Sequence, residues 1–251
     1  MDNKRHGNAP LERFIHYLML EKSLSGNTLD AYRTDATKLL DYLHGIDCDL
    51  TSVDLDCLQT FVATLADVGI SARSQARIIS GIRSFFSFLV LDGYIENDPT
   101  FLLESPKLGK HLPEVLSVSE VDAIMAAQDL TLPEGPRNLA MLEVLYSCGL
   151  RVSELCGLKM QDLFLDEGFI RVTGKGSKER LVPVSGRAIH VLKNWFADRC
   201  HITPAVHCDG YVFLSARTGK PLSRVMVFTI VRRLAASAGI NKTISPHTFR
   251  H

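Results

Sequence analysis

Apolar residues recur at helical spacing through residues 11–91, and that rhythm leaves a helical bundle as the fold open to the first part of the chain. Leu11, Phe14, Ile15, Leu18 and Met19 mark an amphipathic helix over 11–22, broken by Ser23 to Gly26. Asn27 reads as the N-cap of a second helix, with Asp30 three positions on, where a carboxylate suits the positive end of the dipole. Leu29, Tyr32, Ala36, Leu39, Leu40 and Leu43 make its buried side, ending near Gly45. A third helix is expected to begin around Thr51 to Asp54 and to run through Leu58, Phe61, Val62 and Leu65. A fourth, over 71–91, carries Ile78, Ile79, Ile82, Phe85, Phe86 and Leu89 as its core stripe. No stretch before residue 95 alternates as a strand does.

Residues 92–113 change character: Asp92-Gly93, Asn97-Asp98-Pro99 and Ser105-Pro106-Lys107 are turn chemistry. The chain is accordingly divided into a helical domain with its linker, 1–108, and a second domain, 109–251. The second opens on a capping box, Ser117 with Glu120, and continues with a helix over about 137–146. After the turn Ser147-Cys148-Gly149 comes a short helix with Leu150, Leu155 and Leu158 on one side. Residues 169–172 and 180–184 then read as strands flanking a glycine-bearing turn, Thr173 to Glu179. A helix capped by Ser185 points Ile189, Leu192, Trp195 and Phe196 inward, and another spans 223–238. Ser245 and Pro246 suit the N-cap and first position of a last helical segment. The predicted fold is mainly α with a small β-hairpin or sheet: a helical bundle plus an α+β domain.

The apolar and charged content, 46% and 22%, is that of a globular protein, and no apolar run approaches a membrane span. Six cysteines lie scattered without a CxxC pair, which with a polar N-terminus points to the cytoplasm. Cys200-His201 and His207-Cys208 form a symmetric pair, but adjacent ligands converge poorly on one tetrahedral ion, so a loop with incidental histidines is the better reading. Net charge is zero, divided as −4 over residues 1–110 and +4 over 111–251. A nucleic-acid contact must therefore use local patches.

Three elements of the second domain present cations at ordered positions. Arg151 and Glu154 are three apart and share a helix face, which alone reads equally as a surface ion pair. Lys175 sits on the hairpin turn. His247 and Arg250 share a face at a helix start, where a phosphate oxyanion is welcome. Two arginines gripping phosphate oxygens, a lysine protonating a leaving oxygen and a histidine moving a proton make a set suited to a phosphodiester. Gly174-Lys175-Gly176 lacks the spacing and the following helix of a P-loop. In the first domain Thr28, Tyr32 and Arg33 cluster at one helix start, and Arg73 and Arg77, with Arg83 further on, line another helix. By themselves these read as solvated faces.

Gly149-Leu150-Arg151-Val152-Ser153-Glu154-Leu155, Gly174-Lys175-Gly176-Ser177-Lys178-Glu179-Arg180 and His247-Thr248-Phe249-Arg250-His251 resemble the catalytic boxes of the tyrosine site-specific recombinases, the integrase family. Asn27 to Arg33 and Ser105-Pro106-Lys107 resemble the N-terminal domain and linker of Xer-type chromosome-dimer-resolving recombinases, nearer the D than the C partner. The resemblance implies a helical core-binding (SAM-like) domain and a catalytic domain embracing duplex DNA at a short inverted-repeat site. It implies Arg151 and Arg250 on the scissile phosphate, Lys175 protonating the 5′-oxygen, His247 assisting, and Glu154 orienting the site. A 3′-phosphotyrosyl intermediate conserves the bond energy, so no cofactor or metal is implied. Thr28, Arg33, Arg73, Arg77, Lys178 and Arg180 become candidate DNA contacts. The implied partners are a second Xer-type recombinase, completing a heterotetramer, and a septal DNA translocase.

In that family the nucleophilic tyrosine follows the last box. The tyrosines here, 17, 32, 42, 94, 146 and 211, all precede it, and Tyr146 lies in an apolar run that reads as core. The expectation is a chain that binds DNA and forms no tyrosine-linked adduct. A phage or transposon integrase and a non-catalytic DNA-binding fragment are the alternatives.

Overall fold

The computed structural model describes residues 9–109, 114–174, 176 and 178–250, with the backbone alone of His247 and Arg250. The chain divides into two compact units, Met1–His111 and Leu112–His251. No helix among the described residues is long and apolar enough to cross a membrane.

Four helices build the first unit: α1 (Ala9–Leu20), α2 (Gly26–Gly45), α3 (Leu55–Asp67) and α4 (Ala72–Leu91). All six apolar residues of the α4 stripe are fully buried, and Phe14, Leu39 and Leu58 bring the other three helices onto it. Phe14 and Phe85 rings lie 5.2 Å apart. Three expectations shift. Ser25, not Asn27, is the N-cap of α2: its carbonyl accepts the Thr28 and Leu29 N–H groups at 2.8 and 3.0 Å, so the helix begins one residue before Asn27. Thr51 belongs to a separate 3₁₀ turn, Leu50–Ser52, and Asp54 caps α3 by accepting the Cys57 N–H at 2.8 Å. Met19 is exposed, because the stripe of α1 centres on Leu11, Phe14 and Leu18 and leaves Met19 at its edge.

The second unit holds α5 (Val118–Ala126), α6 (Gly135–Cys148), α7 (Val152–Gly157), β1 (Leu163–Phe164), β2 (Phe169–Thr173), β3 (Glu179–Pro183), α8 (Gly186–Arg199), α9 (Arg224–Ser237) and a 3₁₀ turn, Pro246–Arg250. The three strands pair antiparallel in the order β1-β2-β3, with Ile170 opposite Val182 and Val172 opposite Arg180. Ile170 and Val172 are buried, which fixes the hairpin's register against the core. β1 escaped the sequence reading because two residues show no alternation. The predicted capping box at Ser117 and Glu120 is present at the start of α5.

Helix α6 runs through the middle, packed by α5, α7, α8 and the last 3₁₀ turn. Tyr146 is not core: it is exposed. It shares a stripe with half-buried Pro136 and Leu139 on the outer side of α6, a phase that the apolar letters around it concealed. Trp195 on α8 is buried and donates its Nε1–H to the Val212 carbonyl at 2.9 Å. The fold is mainly α with one small antiparallel sheet, as the sequence predicted.

Candidate active site and DNA-contact residues

The site grows out of the end of α6. Gly149 takes a left-handed conformation, φ 54° and ψ 37°, which reverses the chain without strain. Leu150 then drops into the core, and Arg151, extended at φ −71° and ψ 149°, becomes the N-cap of α7. A guanidinium has no acceptor, so Arg151 cannot cap by the usual side-chain bond. Glu154 supplies the reciprocal half instead, reaching back to accept the Arg151 N–H on Oε2 at 2.7 Å.

The same carboxylate collects three further donors. Arg151 Nη1 donates to Oε1 at 2.9 Å, while Arg180, arriving from β3, places Nη1 on Oε1 and Nη2 on Oε2, both at 2.9 Å. Only 3% of the Glu154 side chain is exposed, against 50% of Arg151. Burial pushes the Glu154 carboxyl upward, but the Arg180 fork and the Arg151 backbone and side-chain donors outweigh it and bring it down to about 2. The hydrogen bond to Glu154 in turn raises the Arg180 pKa. Arg151 is thus fixed on one side and open on the other, an arrangement able to hold an anion.

The hairpin turn lies against this pair. Gly174 N–H donates to the Lys178 carbonyl at 2.8 Å, and a Cβ on Gly174 would stand 3.4 Å from Arg180 Nη1 and 3.7 Å from Glu154 Oε1. Lys178 is exposed beside it. Lys175 lies outside the described residues, as do the side chains of His247 and Arg250. The backbone of the latter two forms the Pro246–Arg250 turn, which buried Phe249 fastens to the core near α6 and α9.

The structure therefore brings Arg151, Glu154 and Arg180 together at the edge of the turn. Arg180, a candidate DNA contact in the sequence, directs both terminal nitrogens at Glu154, with 37% of its side chain exposed. Sequence spacing gave no sign of this, since 26 residues separate the partners. Cys200 Sγ is 3.6 Å from His201 Nδ1, and among the described residues no group of three or more His, Cys, Asp or Glu is placed to hold a metal ion.

The remaining candidates belong to the first unit. Thr28, in the first turn of α2, shares a hydroxyl hydrogen bond with Ser25 at 2.9 Å. Arg33 forks onto Glu12 of α1. Arg73 is exposed in the first turn of α4, and Arg83 donates to the Leu103 carbonyl, fastening the segment after α4. Arg77 Nη1 donates to Asp35 Oδ2 at 2.5 Å. Asp35 escaped the sequence reading, although its place beside Ala36 and one turn before Leu39 was the available signal. It is buried, its Oδ1 has no partner, and burial raises its pKa against the opposing pull of Arg77.

Comparison with known proteins follows the same division. Residues 114–251 match the Phage integrase family and residues 11–93 match its N-terminal SAM-like domain. The chain is 40% identical over 246 residues to tyrosine recombinase XerD of Staphylococcus epidermidis, covering 97% of this chain and 83% of that protein. The same enzyme of Staphylococcus aureus is 41% identical over 246 residues, covering 96% and 82%. Among solved structures, a lambda integrase dimer bound to a COC′ core site shares the fold with a TM-score of 0.75 at 19% identity, covering 97% of this chain and 86% of that one. With a family match to each unit and this identity across nearly the whole length, the chain belongs to the phage integrase family, as a site-specific tyrosine recombinase of the XerD type.

Proposed function

We propose that this recombinase cuts and rejoins duplex DNA at an inverted-repeat site with Arg151, Lys175, His247 and Arg250 around the scissile phosphate. Arg151 and Arg250 neutralise the phosphate oxygens as charge builds on them. The nucleophile is the tyrosine that in this family follows the last box, a role for none of the six tyrosines at 17–211. Its hydroxyl attacks phosphorus, His247 assists its proton transfer, and Lys175 protonates the departing 5′-oxygen, leaving a 3′-phosphotyrosyl ester. The ester keeps the bond energy for rejoining, so strand exchange draws on no nucleotide. Glu154 orients Arg151. Thr28, Arg33, Arg73, Arg77 and Lys178 contact the duplex backbone.

The observation that carries this reading is the Glu154 carboxylate fixing a half-exposed Arg151 at the start of α7. The finer biology follows from the resemblance to Xer-type recombinases, in keeping with relatives named tyrosine recombinase XerD: a cytoplasmic enzyme that resolves chromosome dimers at division, pairs with a second Xer-type recombinase and is activated by a septal DNA translocase. Solved recombinases of the same fold are described as bound to their DNA sites.

Duplex binding measured across salt concentrations tests the DNA reading. Log affinity should fall steeply with log salt, by a slope of about 0.9 for each phosphate neutralised, and Arg73→Ala and Arg151→Ala should each flatten it. Salt-insensitive binding overturns the proposal. In cells, loss of the gene should block segregation only where homologous recombination operates, since that process makes dimers. A defect that persists without homologous recombination removes the dimer-resolution role.

A further inference from the structure

We infer that Arg180 is a positioning residue: through Glu154 it fixes where Arg151 presents its guanidinium, and it ties the β2–β3 turn to the start of α7. The inference rests on the reading of Arg151 as a phosphate ligand. Arg151 is a long side chain, half exposed, and among the described residues Glu154 is its one side-chain partner. Glu154 itself rides on a helix of six residues, too short to hold a direction unaided. Arg180 is better anchored. It pairs opposite Val172 on a strand whose neighbour buries Ile170 and Val172 in the core.

Its fork fixes both the position and the plane of the carboxylate, because two parallel bonds stop the rotation that one would allow. Gly174 leaves no side chain between the turn and this ion pair. The sheet thus sets the carboxylate and the carboxylate sets Arg151. Both terminal nitrogens of Arg180 are held on a carboxylate only 3% exposed, whereas Arg33 forks onto a Glu12 that is 46% exposed, so Arg180 acts on DNA through Arg151.

A double-mutant cycle separates this from direct DNA contact. Affinity for a 30-base-pair duplex is measured for Arg151→Ala, Arg180→Ala and the double variant, with Trp195 fluorescence confirming that each is folded. Arg151→Ala should weaken binding about tenfold, Arg180→Ala by up to as much, and the double variant no more than Arg151→Ala alone. Arginine Nε NMR gives a readout that needs no DNA: the Arg151 signal should become mobile in Arg180→Ala. It should stay mobile in Arg180→Lys, which restores the charge without the fork. Additive losses in the cycle, or an Arg151 signal unchanged by Arg180→Ala, overturn the inference. If Arg151→Ala binds as the parent does, it is the reading of Arg151 that fails, and the NMR result alone decides whether Arg180 holds it.

Discussion

The side chains of Glu154 and Asp35 are equally exposed, at 3% each, and each faces an arginine. Their protons nevertheless behave in opposite ways. Burial raises both, but Glu154 receives two donors from Arg180 and two from Arg151 and falls to about 2, whereas Asp35 receives one from Arg77, leaves Oδ1 without a partner, and is raised. At equal side-chain exposure, then, more donors to Glu154 and deeper burial around Asp35 give the two shifts opposite signs. The catalytic unit holds a carboxylate that must be charged; the helical unit holds one that is costly to charge.

Neutralising Glu154 should give the largest effect. A folded pKa of about 2 against an ordinary 4.5 means that the folded state binds fewer protons. The contribution is complete above the ordinary value and is lost as pH falls through about 2, amounting to at most ~3 kcal/mol. Glu154→Gln should lower the stability of the catalytic unit by about that much at pH 7 and by far less near pH 2. Trp195, the one tryptophan, lies in that unit's core and reports its urea unfolding. A Gln variant that keeps the parent's acid slope breaks the comparison.

Gly81→Ala comes next. A Cβ there would stand 2.8 Å from Asp35 Oδ2 and 2.9 Å from Asp35 Cβ, so α2 and α4 must part. A loss of about 1–3 kcal/mol is expected, read as faster amide exchange in those two helices. Asp35→Asn should go the other way. A raised acid gives stability that is complete below its ordinary pKa of 3.8 and lost as pH climbs through the folded value. The amide should therefore restore up to ~1 kcal/mol at pH 7, visible as slower exchange in α4, and a loss there sinks the donor argument. Gly174→Ala should be the mildest, within about 0.5 kcal/mol, since its Cβ meets Arg180 Nη1 at an ordinary 3.4 Å.

Much of the fold is local and was legible as such. The α4 stripe, the Ser117 capping box and the strands around Gly174 follow from periodicity and turn chemistry, which depend on neighbours a few residues away. Misjudged residues stood at the margins of that logic. Met19 sits at the edge of a stripe, Tyr146 is on the outer face of a nearly encircled helix, and Asn27 had a competing cap in Ser25 two residues earlier. β1 was too short to show any period.

The sequence by itself determined the helical unit, the hairpin, and the placing of Arg151 and Glu154 three apart on one short helix, because helix and strand geometry fix such spacings locally. Only the tertiary structure decided that Arg180 belongs to Glu154 and that Asp35 lies buried against Gly81 and Arg77. Those outcomes depend on which donors distant segments bring to a carboxylate once water has been removed from it, and spacing along the chain carries no record of that.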